Sequence, residues 1–468
     1  MAGASMRDII VVLPGILGST LQKNGKDVWK LSPGAILRGL VPGGAGIEDL
    51  ALGEDPPDLD DLSDGVVVTG MFRDAHLIPG LWKIDGYTRV TDYIRRAFDV
   101  TPGKNFFEFP YDWRRDNRVA ARRLGCQARE WLQAWRASTG DPGARIILVA
   151  HSMGGLVSRY FLEVLGGWVD TRALITFGTP YRGSLNALNM LSNGFSKGLG
   201  PVSLIDLSEF VRTLTSVHQL LPVYPCYDCG DRELVRIADA STPPPNLDVK
   251  RVRDALAFHH EIRDKVSEHQ NDPKYRSEGY KIFPIVGTHQ RTLQSAFLEA
   301  DGTLSVIPEY EGRDLDGDGT VPCVSATPIE LSQEQREFFA AQKHGSLQNA
   351  DASCIQLEGV LKFTQLNLSM FRAPQKTMVT ENRLRLLVED SYEVEEPVQI
   401  RVQPEVPSSK LDAAVVNLDT SERHTLILTA RSNGIFEGQA TGLNPGTYRV
   451  TVSGSYPTVP ISDLFVVS

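Results

Sequence analysis

The feature that most constrains the fold is an apolar run that ends at a serine and is followed at once by a helical pattern. Residues 146–149 read Ile-Ile-Leu-Val, and Ser152 follows three residues later. Apolar side chains then recur at helical spacing, at Leu156, Val157, Tyr160, Phe161 and Val164. This order predicts a nucleophile elbow, a tight strand-to-helix turn that lifts a serine hydroxyl above a sheet. Ala150 and Gly154 are the small residues that such a turn needs on either side of the serine.

Three further apolar runs indicate the sheet to which this strand belongs. They are Ile9–Leu13, Ala173–Phe177 and Ile282–Val286. Each run is continuously apolar rather than alternating, which is typical of strands covered on both faces. Because longer helical patterns separate these runs, we predict an α/β fold with a mainly parallel sheet over residues 1–372.

Two segments of this part do not fit alternating strands and helices. Residues 32–82 are rich in Gly, Pro and Asp and predict a cap-like insertion, in which the acidic stretch Glu54–Asp64 would be a solvated loop. Residues 190–275 are largely helical in pattern and lie between two predicted core strands. Long insertions in an α/β core are more often lids than separate domains, so we predict a helical lid insertion there.

The pattern changes after the polar linker Arg372–Thr377. Closely spaced segments of alternating polar and apolar residues follow, namely Arg383–Val388, Val398–Val402, Ala413–Leu418, Thr425–Ala430, Gly434–Ala440 and Thr447–Val452. Such a series without helical patterns predicts an all-β, immunoglobulin-like sandwich over residues 378–468. The segment Leu443–Tyr448 contains Asn-Pro-Gly and indicates a hairpin between two of these strands.

The charge balance and the lengths of the apolar runs exclude several classes of function. The 468-residue chain has 58 acidic and 48 basic residues and no block of Lys or Arg, so a nucleic-acid partner is not expected. No apolar run approaches the roughly 18 residues needed to cross a bilayer. The N-terminus enters a strand-like run at Ile9 without the features of a signal peptide, and we therefore expect a cytoplasmic protein.

Five cysteines are too few and too scattered for a disulfide framework. They are Cys126, Cys226, Cys229, Cys323 and Cys354. Cys226 and Cys229 form the one CxxC pair, and no second pair or nearby histidine motif completes a zinc site. We therefore predict neither a structural metal nor a cofactor.

Chain order indicates the catalytic partners of Ser152. A serine hydroxyl is a weak nucleophile unless a base accepts its proton and a buried acid orients that base. In folds with this elbow the acid and then the histidine follow the serine, and His151 is too close to bend back onto it. Asp318 is the candidate acid, and His344 and His424 are the two histidines after it. Because His424 lies within the predicted sandwich, we predict the triad Ser152, Asp318 and His344.

The segment around Asp318 also has an alternative interpretation as a calcium loop. Asp314, Asp316, Asp318 and Gly319 match positions one, three, five and six of an EF-hand loop. Position twelve should be a bidentate Glu, but it is Ser325. We favour the catalytic acid and keep calcium binding as the alternative.

An acyl-transfer site also needs backbone N–H groups that bind the oxyanion. One is expected from Met153, the residue after the serine, and the other from the loop after an early strand. That loop is Pro14–Ser19, whose glycines allow close approach of the backbone, and Ile16 is the predicted donor. The alternative is that Pro14–Ser19 is a tight turn needed only for folding.

Together with other segments in the same order, these residues resemble the lecithin:cholesterol acyltransferase-like family of α/β-hydrolases. The resemblance covers roughly residues 8–365 and rests on Leu13–Ser19, Trp29, Phe109–Arg114, Ala150–Gly155, Phe177–Pro180, Gly183, Ser184, Gly317–Val321 and His344. It implies an α/β-hydrolase fold and acyl-ester chemistry on lipids. It also implies a triad of Ser152, Asp318 and His344, with Ile16 and Met153 at the oxyanion hole. The chain departs from secreted members in showing neither a signal peptide nor an early disulfide pair, and the resemblance does not cover the sandwich.

We therefore predict a serine-dependent lipid ester hydrolase or acyltransferase that acts on phospholipid or related acyl esters through an acyl-Ser152 intermediate. The apolar segments Ala35–Val41 and His76–Trp82 could contact a membrane surface or simply pack on the core, and Val217–Cys226 would cover the acyl pocket. The sandwich could bind a protein partner. The alternative function is that of a catalytically idle binding or scaffold protein that keeps the hydrolase fold.

Overall fold

The four apolar runs predicted as strands are neighbours in one parallel sheet of the computed structural model. The structure describes residues 3–29, 50–73, 76–78, 82–194, 196–199, 203–331, 337–366, 383–405, 410–431, 434–455 and 458–468. In these residues the sheet contains β1 (Ile9–Leu13), β2 (Phe106–Glu108), β3 (Ile146–His151), β4 (Thr171–Phe177), β5 (Lys281–Gly287) and β6 (Phe338–Ala340). Their order is β6-β5-β4-β3-β1-β2, and every neighbouring pair is parallel. The prediction of an α/β fold is confirmed.

Burial on both faces explains why the central strands are continuously apolar. Every side chain of β1 and β3 is buried. Ile146 of β3 is opposite Ile9 of β1, and Ala150 is opposite Leu13. Because the strands are parallel, β1, β3 and β4 end at the same edge of the sheet, and this edge is where ligands bind in open α/β folds.

Helices pack beside this sheet, and short strands and turns connect them. The helices are α1 (Thr88–Ala97), α2 (Asn117–Thr139), α3 (Met153–Glu163), α4 (Leu185–Asn193), α5 (Ser208–Thr213), α6 (Thr215–His218), α7 (Val249–His269), α8 (Pro273–Glu278) and α9 (Asp351–Thr364). The 3₁₀ turns are Gly167–Val169, Ile237–Asp239, Cys323–Ser325, Ile329–Leu331 and His344–Asn349. The remaining strands of this part are Ala4–Ser5, Ser19–Lys23, Lys26–Trp29, Val66–Met71, His76–Ile78, Trp82–Ile84, Phe98–Asp99, Ser196–Leu199, Ser203–Asp206, Tyr227–Asp228, Leu234–Val235, Ser295–Leu298 and Leu304–Ile307.

The longest helix of the predicted lid, α7, is a layer of the α/β core. Phe258 of α7 stacks on Tyr160 of α3 with 5.5 Å between ring centroids. Glu261 of α7 accepts a hydrogen bond from the Tyr160 hydroxyl at 2.7 Å and forms an ion pair with Arg118 of α2 at 2.6 Å. For this helix the lid prediction is wrong. The physical reason is an apolar stripe at helical spacing in an otherwise charged segment, formed by Val252, Ala255, Phe258, Ile262 and Val266.

The acidic stretch Glu54–Asp64 folds against a group of arginines. Asp55 has a side chain that is 2% exposed, and it pairs with Arg115 at 2.9 Å. The same carboxylate accepts the backbone N–H of Asp116 at 2.7 Å. Asp64 pairs with the buried Arg114 at 2.9 Å. The prediction of a solvated loop is therefore wrong for Asp55, because its partners lie about 60 residues away in sequence and a buried carboxylate needs such partners.

Some predicted segments lie outside the described residues. Ala35–Val41 and the linker Arg372–Thr377 lie wholly outside them, and His76–Trp82 lies partly outside. Among the residues that the structure does describe, no helix has both the length and the apolar character to cross a bilayer.

A buried ionic cluster lies at the C-terminal end of α3, the helix that follows Ser152. Arg159 and Glu163 form an ion pair at 3.2 Å within this helix, and Arg159 also binds Glu330. Glu163 accepts hydrogen bonds from the hydroxyl of Tyr280 at 2.6 Å and from the ring of His269 at 2.7 Å. Both carboxylate oxygens of Glu163 therefore have donors inside the protein, as a buried charge requires.

The C-terminal residues form two sheets that share one core. Their strands are β7 (Leu384–Leu387), β8 (Ser391–Tyr392), β9 (Val398–Pro404), β10 (Leu411–Asn417), β11 (Arg423–Ile427), β12 (Thr429–Ala430), β13 (Phe436–Ala440), β14 (Gly446–Gly454) and β15 (Ile461–Val467). One sheet has the order β7-β9-β13-β12 and the other β8-β15-β14-β10-β11. The pairs are antiparallel except for β8 and β15, which are parallel. The all-β prediction for this part is confirmed.

The segment Leu443–Tyr448 does not form the predicted hairpin. It joins β13, which pairs with β9, to β14, which pairs with β10 and β15, so it crosses from one sheet to the other. Leu443 is buried in the shared core, and the Tyr448 hydroxyl donates to the carbonyl of Asn444 at 2.8 Å. The hairpin prediction is wrong because the apolar side chain of Leu443 is buried between the two sheets. A hairpin loop would instead project from one sheet into solvent.

Candidate active site

Ser152 occupies the sharp turn between β3 and α3. Its φ of 52° lies in the left-handed region that non-glycine residues rarely adopt. Its backbone N–H donates to the carbonyl of Phe177 in β4 at 2.9 Å. A Cβ atom at Gly154 would lie 2.5 Å from the carbonyl oxygen of Pro14, so this position needs a glycine. The turn therefore has the tight geometry expected from the sequence.

The structure brings the three predicted triad residues together. Ser152 Oγ lies 2.9 Å from His344 Nε2, and His344 Nδ1 lies 2.7 Å from Asp318 Oδ2. An ionised carboxylate only accepts hydrogen bonds, so Nδ1–H donates to Asp318. Nε2 is then unprotonated and accepts the Ser152 hydroxyl proton. In this tautomer the imidazole can act as a base toward Ser152.

Asp318 is held by its own loop. It is buried, and Oδ1 accepts the backbone N–H groups of Thr320 at 2.9 Å and Val321 at 2.6 Å. Its carbonyl oxygen accepts the backbone N–H of His344 at 2.9 Å. One residue therefore binds both the side chain and the main chain of the histidine, which fixes the orientation of the imidazole.

The calcium alternative for this loop finds little support in the geometry. Oδ1 of Asp314 accepts from the Gln294 amide at 2.8 Å, and Asp316 accepts from the Thr288 hydroxyl at 3.0 Å. With Asp318 bound to His344, each of the three carboxylates has a donor from the protein. Within the described ranges, no group of three or more His, Cys, Asp or Glu side chains is arranged to hold a metal ion.

A second hydrogen-bond series, which we did not predict, links three segments of the site: the loop at Gly15, the turn at His151 and Ser152, and the loop at His344. The Gly15 N–H donates to the Tyr87 hydroxyl at 2.8 Å, and this hydroxyl lies 2.9 Å from His151 Nδ1. His151 Nε2 lies 3.1 Å from the carbonyl of His344, so Nε2 must donate. Burial lowers the pKa of His151 well below its ordinary value, and nearby His344 acts in the same direction. The ring is therefore neutral, and Tyr87 donates to Nδ1.

The predicted oxyanion donors lie beside the serine. A Cβ atom at Gly15 would lie 2.8 Å from Ser152 Cβ, which places the turn containing Ile16 against the nucleophile. Met153 is the first residue of α3, where helical N–H groups have no partner within the helix. Considering only the residues that the structure describes, neither the Ile16 nor the Met153 N–H donates to a protein acceptor. Both groups are therefore available to a ligand, and their catalytic role stays a prediction.

Gly178 is a further site residue that we did not predict. It follows β4 and has a φ of 56°. A Cβ atom there would lie 2.7 Å from Asp318 Oδ2 and 3.0 Å from His344 Nδ1. Phe177–Pro180 belongs to the motifs of the family resemblance, but the sequence does not indicate that its glycine borders the Asp–His pair.

Comparison with known proteins shows which family part of the chain resembles. A sequence profile of the lecithin:cholesterol acyltransferase family matches residues 82–244. Lysosomal phospholipase A and acyltransferase from Homo sapiens is 32% identical over 253 residues, which are 52% of this chain and 57% of that protein. Phosphatidylcholine-sterol acyltransferase from Gallus gallus is 31% identical over 121 residues, which are 24% of this chain and 27% of that protein. Over these segments the chain is similar to the lecithin:cholesterol acyltransferase family.

The matches also have clear bounds. The chain spans little more than half the length of the human relative, and the profile match includes Ser152 but ends before Asp318 and His344. Among solved structures, the lipase BlEst2 of Bacillus licheniformis in its propeptide form is similar over 98% of this chain and 93% of that chain. Its TM-score is 0.32 and its sequence identity 11%, a likeness too weak to bear on activity.

Proposed function

We propose that this protein is a serine-dependent lipid ester hydrolase or acyltransferase that works through an acyl-Ser152 intermediate. The observation that carries the proposal is the pair of hydrogen bonds from Ser152 to His344 and from His344 to Asp318, at 2.9 and 2.7 Å. The names of its relatives, a phospholipase A and acyltransferase and a phosphatidylcholine-sterol acyltransferase, favour phospholipid or related acyl esters as substrates.

In the first half-reaction, His344 Nε2 takes the proton of Ser152 as Oγ attacks the acyl carbonyl carbon. The carbonyl oxygen becomes an oxyanion, which the N–H groups of Ile16 and Met153 bind. Asp318 stabilises the imidazolium that forms. The C–O bond to the leaving alcohol then breaks, and His344 donates its proton to that alcohol. The products are acyl-Ser152 and the released alcohol.

In the second half-reaction, a water or alcohol molecule gives its proton to His344 and attacks the acyl carbon. The bond to Ser152 Oγ breaks, and His344 returns the proton to the serine. Water yields a fatty acid and an alcohol yields a new ester. The same acyl-enzyme serves both outcomes, so the acceptor that reaches the acyl-enzyme determines the product.

We further infer that Val217–Cys226 covers the acyl pocket. The Ser184 N–H donates to the carbonyl of Leu220 at 2.8 Å, and the Ser184 hydroxyl donates to the carbonyl of Thr320 at 2.5 Å. These bonds connect the segment to the loop of Asp318, which supports a position beside the triad.

We infer that the C-terminal sandwich is immunoglobulin-like. A parallel pair of β8 and β15 in an otherwise antiparallel sandwich and the bond from the Tyr448 hydroxyl to the backbone of Asn444 support this.

The role of Ser152 can be tested with Ser152→Ala. We expect cleavage of a short p-nitrophenyl ester to fall by at least about 10³-fold, because the nucleophile is lost while the fold is kept. A fluorophosphonate probe should label the parent at Ser152, as read by peptide mass spectrometry. Ser267→Ala, at an exposed position on α7, is the matched control and should keep the parental rate. Parental activity in Ser152→Ala, or a parent without a Ser152 adduct, contradicts the proposal.

The acceptor can be identified with phosphatidylcholine vesicles that contain or lack a long-chain alcohol. We expect fatty acid alone from the plain vesicles, and an acyl ester of the added alcohol at the expense of fatty acid from the mixed vesicles. Mass spectrometry of the extracted lipids gives both yields. Release of neither product from active protein would exclude phosphatidylcholine as the substrate.

A further inference from the structure

The C-terminal sandwich contacts the loop that carries His344. The amide of Gln342 donates to the carbonyl of Pro460, and the ammonium of Lys343 forms an ion pair with Asp463. These are the two residues directly before the histidine, and both partners lie in the sandwich. Pro460 directly precedes β15, and Asp463 lies within it. The residues before His344 are therefore anchored to the sandwich.

The ion pair between Lys343 and Asp463 is largely shielded from water. The side chains of Lys343 and Asp463 are 22% and 3% exposed. One oxygen of Asp463 accepts the backbone N–H of Leu464 at 2.9 Å, and the other faces Lys343. An ion pair that is shielded in this way is screened little by salt and holds its partners more firmly than a surface pair.

A second contact reaches the residue after His344. Arg449 of β14 forms an ion pair with Asp85, whose side chain is 8% exposed. The backbone N–H of Asp85 donates to the carbonyl of Gly345 at 2.8 Å. The sandwich therefore holds both sides of His344, directly through Gln342 and Lys343 and indirectly through Asp85.

The sandwich also contacts the region that supports Asp318. Arg385 of β7 donates to the carbonyl of His289 at 3.0 Å and lies 3.6 Å from the carboxylate of Asp314. The amide of Gln290 donates to the carbonyl of Leu384 at 3.3 Å. Gln290 N–H in turn donates to the carbonyl of Gly317, the residue before Asp318, at 2.9 Å.

Open space lies beside these contacts. A cleft of about 300 Å³ separates the two parts, and Lys343, His344, Leu387 and Asp463 are among the residues that line it. Because the interface leaves open space beside the loop, close packing does not hold the loop on this side. On this side, the polar contacts to the sandwich hold the backbone of residues 342–345, in addition to the bonds that His344 makes to Asp318 and His151.

We propose that the sandwich acts as a positioning element of the active site, in which the Lys343–Asp463 ion pair holds the loop that places His344 against Ser152. This inference rests on the proposed function, since it gives His344 the role of catalytic base. Lys343 and Asp463 do not touch the reacting atoms. They set the distance between Nε2 and Oγ, on which proton transfer depends.

The test compares Asp463→Asn and Lys343→Met with the parent. Each variant removes one charge of the pair at nearly constant side-chain size. We expect kcat for a p-nitrophenyl ester and the rate of fluorophosphonate labelling at Ser152 to fall about tenfold to a hundredfold. KM should change by less than twofold, because neither residue binds the ester. The double variant should be no slower than the slower single variant, because both substitutions remove one contact.

Two controls separate positioning from general destabilisation. Glu437→Gln breaks an exposed ion pair with Arg431 in the same sandwich and should keep the parental kcat. All rates are measured at least 15 °C below each variant's melting temperature. The proposal is overturned if both single variants keep kcat within twofold of the parent, or if Glu437→Gln loses as much. A parent that is not labelled at Ser152 overturns the proposed function itself, which is a different result from a labelled parent with unchanged variants.

Discussion

Two buried polar networks lie at opposite ends of α3, and they differ in what they leave unpaired. At the N-terminal end, Ser152 has a left-handed φ, and the nearby Met153 N–H has no acceptor among the described residues. At the C-terminal end, Glu163 accepts from Arg159 and His269, so its charge is fully paired. Backbone strain together with an unused donor is typical of a functional site, whereas saturated pairing is typical of a structural one.

The comparison predicts that substitutions at the first network change rate and that substitutions at the second change stability. Asp318→Asn should give the largest effect, a fall of about 10⁴-fold in kcat. The amide can still accept the N–H groups of Thr320 and Val321, but it favours the tautomer of His344 that is protonated on Nε2 and cannot act as a base. Ester hydrolysis and a thermal melt measure the two properties. If Asp318→Asn loses stability but keeps its rate, the first network does not have the catalytic role that the comparison gives it.

Glu163→Ala should give the next largest effect, on folding. We expect the free energy of unfolding to fall by roughly 3–5 kcal/mol, because the buried Arg159 and the partly buried His269 lose a partner. Urea denaturation measures this change. Well below the midpoint of the transition, kcat should stay within twofold of the parent, since the cluster does not touch Ser152. A large loss of kcat in fully folded Glu163→Ala protein would show that the two networks are coupled through α3.

The pH dependence of stability should come from buried histidines outside the triad. Burial lowers the pKa of His218 and of His259 to about 4. Because an unfolded histidine binds a proton near pH 6.5, the unfolded state binds more protons between pH 6.5 and 4. Stability should therefore fall on acidification, by about 1.4 kcal/mol per pH unit for each of these histidines. Urea midpoints between pH 7 and 5 measure the slope.

His259→Gln is the matched variant for this measurement. It should lower the slope by about 1.4 kcal/mol per pH unit, because one of the buried histidines no longer titrates. The amide of the glutamine can still donate to the carbonyl of Gln219, which His259 contacts at 2.8 Å in the parent. An unchanged slope would assign the pH dependence to other groups.

Tyr87→Phe should give the smallest effect. It tests whether Tyr87 belongs to the network around Ser152 that affects the rate. The phenol links Gly15 to His151, and its loss leaves a buried donor and a buried acceptor unpaired. A lost buried hydrogen bond of this kind is worth about 1–3 kcal/mol, so we expect kcat to fall about tenfold with a small change in KM. A variant with parental kcat and lower stability would place Tyr87 with the structural residues.

The central strands and the elbow could be predicted because their signals are local. A strand buried on both faces must be continuously apolar, and β1 and β3 are. The triad could be proposed from chain order, since Asp318 follows Ser152 and His424 is the one other histidine after Asp318 besides His344.

The features that escaped prediction depend on partners far away in the chain. The sequence around Asp55 predicts a solvated residue, because it does not indicate that Arg115 lies beside Asp55 in the fold. The partners Lys343 and Asp463 are 120 residues apart, and neither is unusual in its own segment. The turn at Leu443 was predicted as a hairpin because its Asn-Pro-Gly sequence indicates a bend but not which sheets the bend connects.

Gly178 has a consequence for reading related sequences. Any side chain at that position would meet the carboxylate of Asp318 and the ring of His344. A related chain with a larger residue there cannot keep this Asp–His pair in this geometry, even if its serine motif is intact. The residue at this position therefore indicates, from sequence alone, whether a homologue can keep the Asp–His pair. Homologues with a larger residue there are expected to have lost this catalytic arrangement.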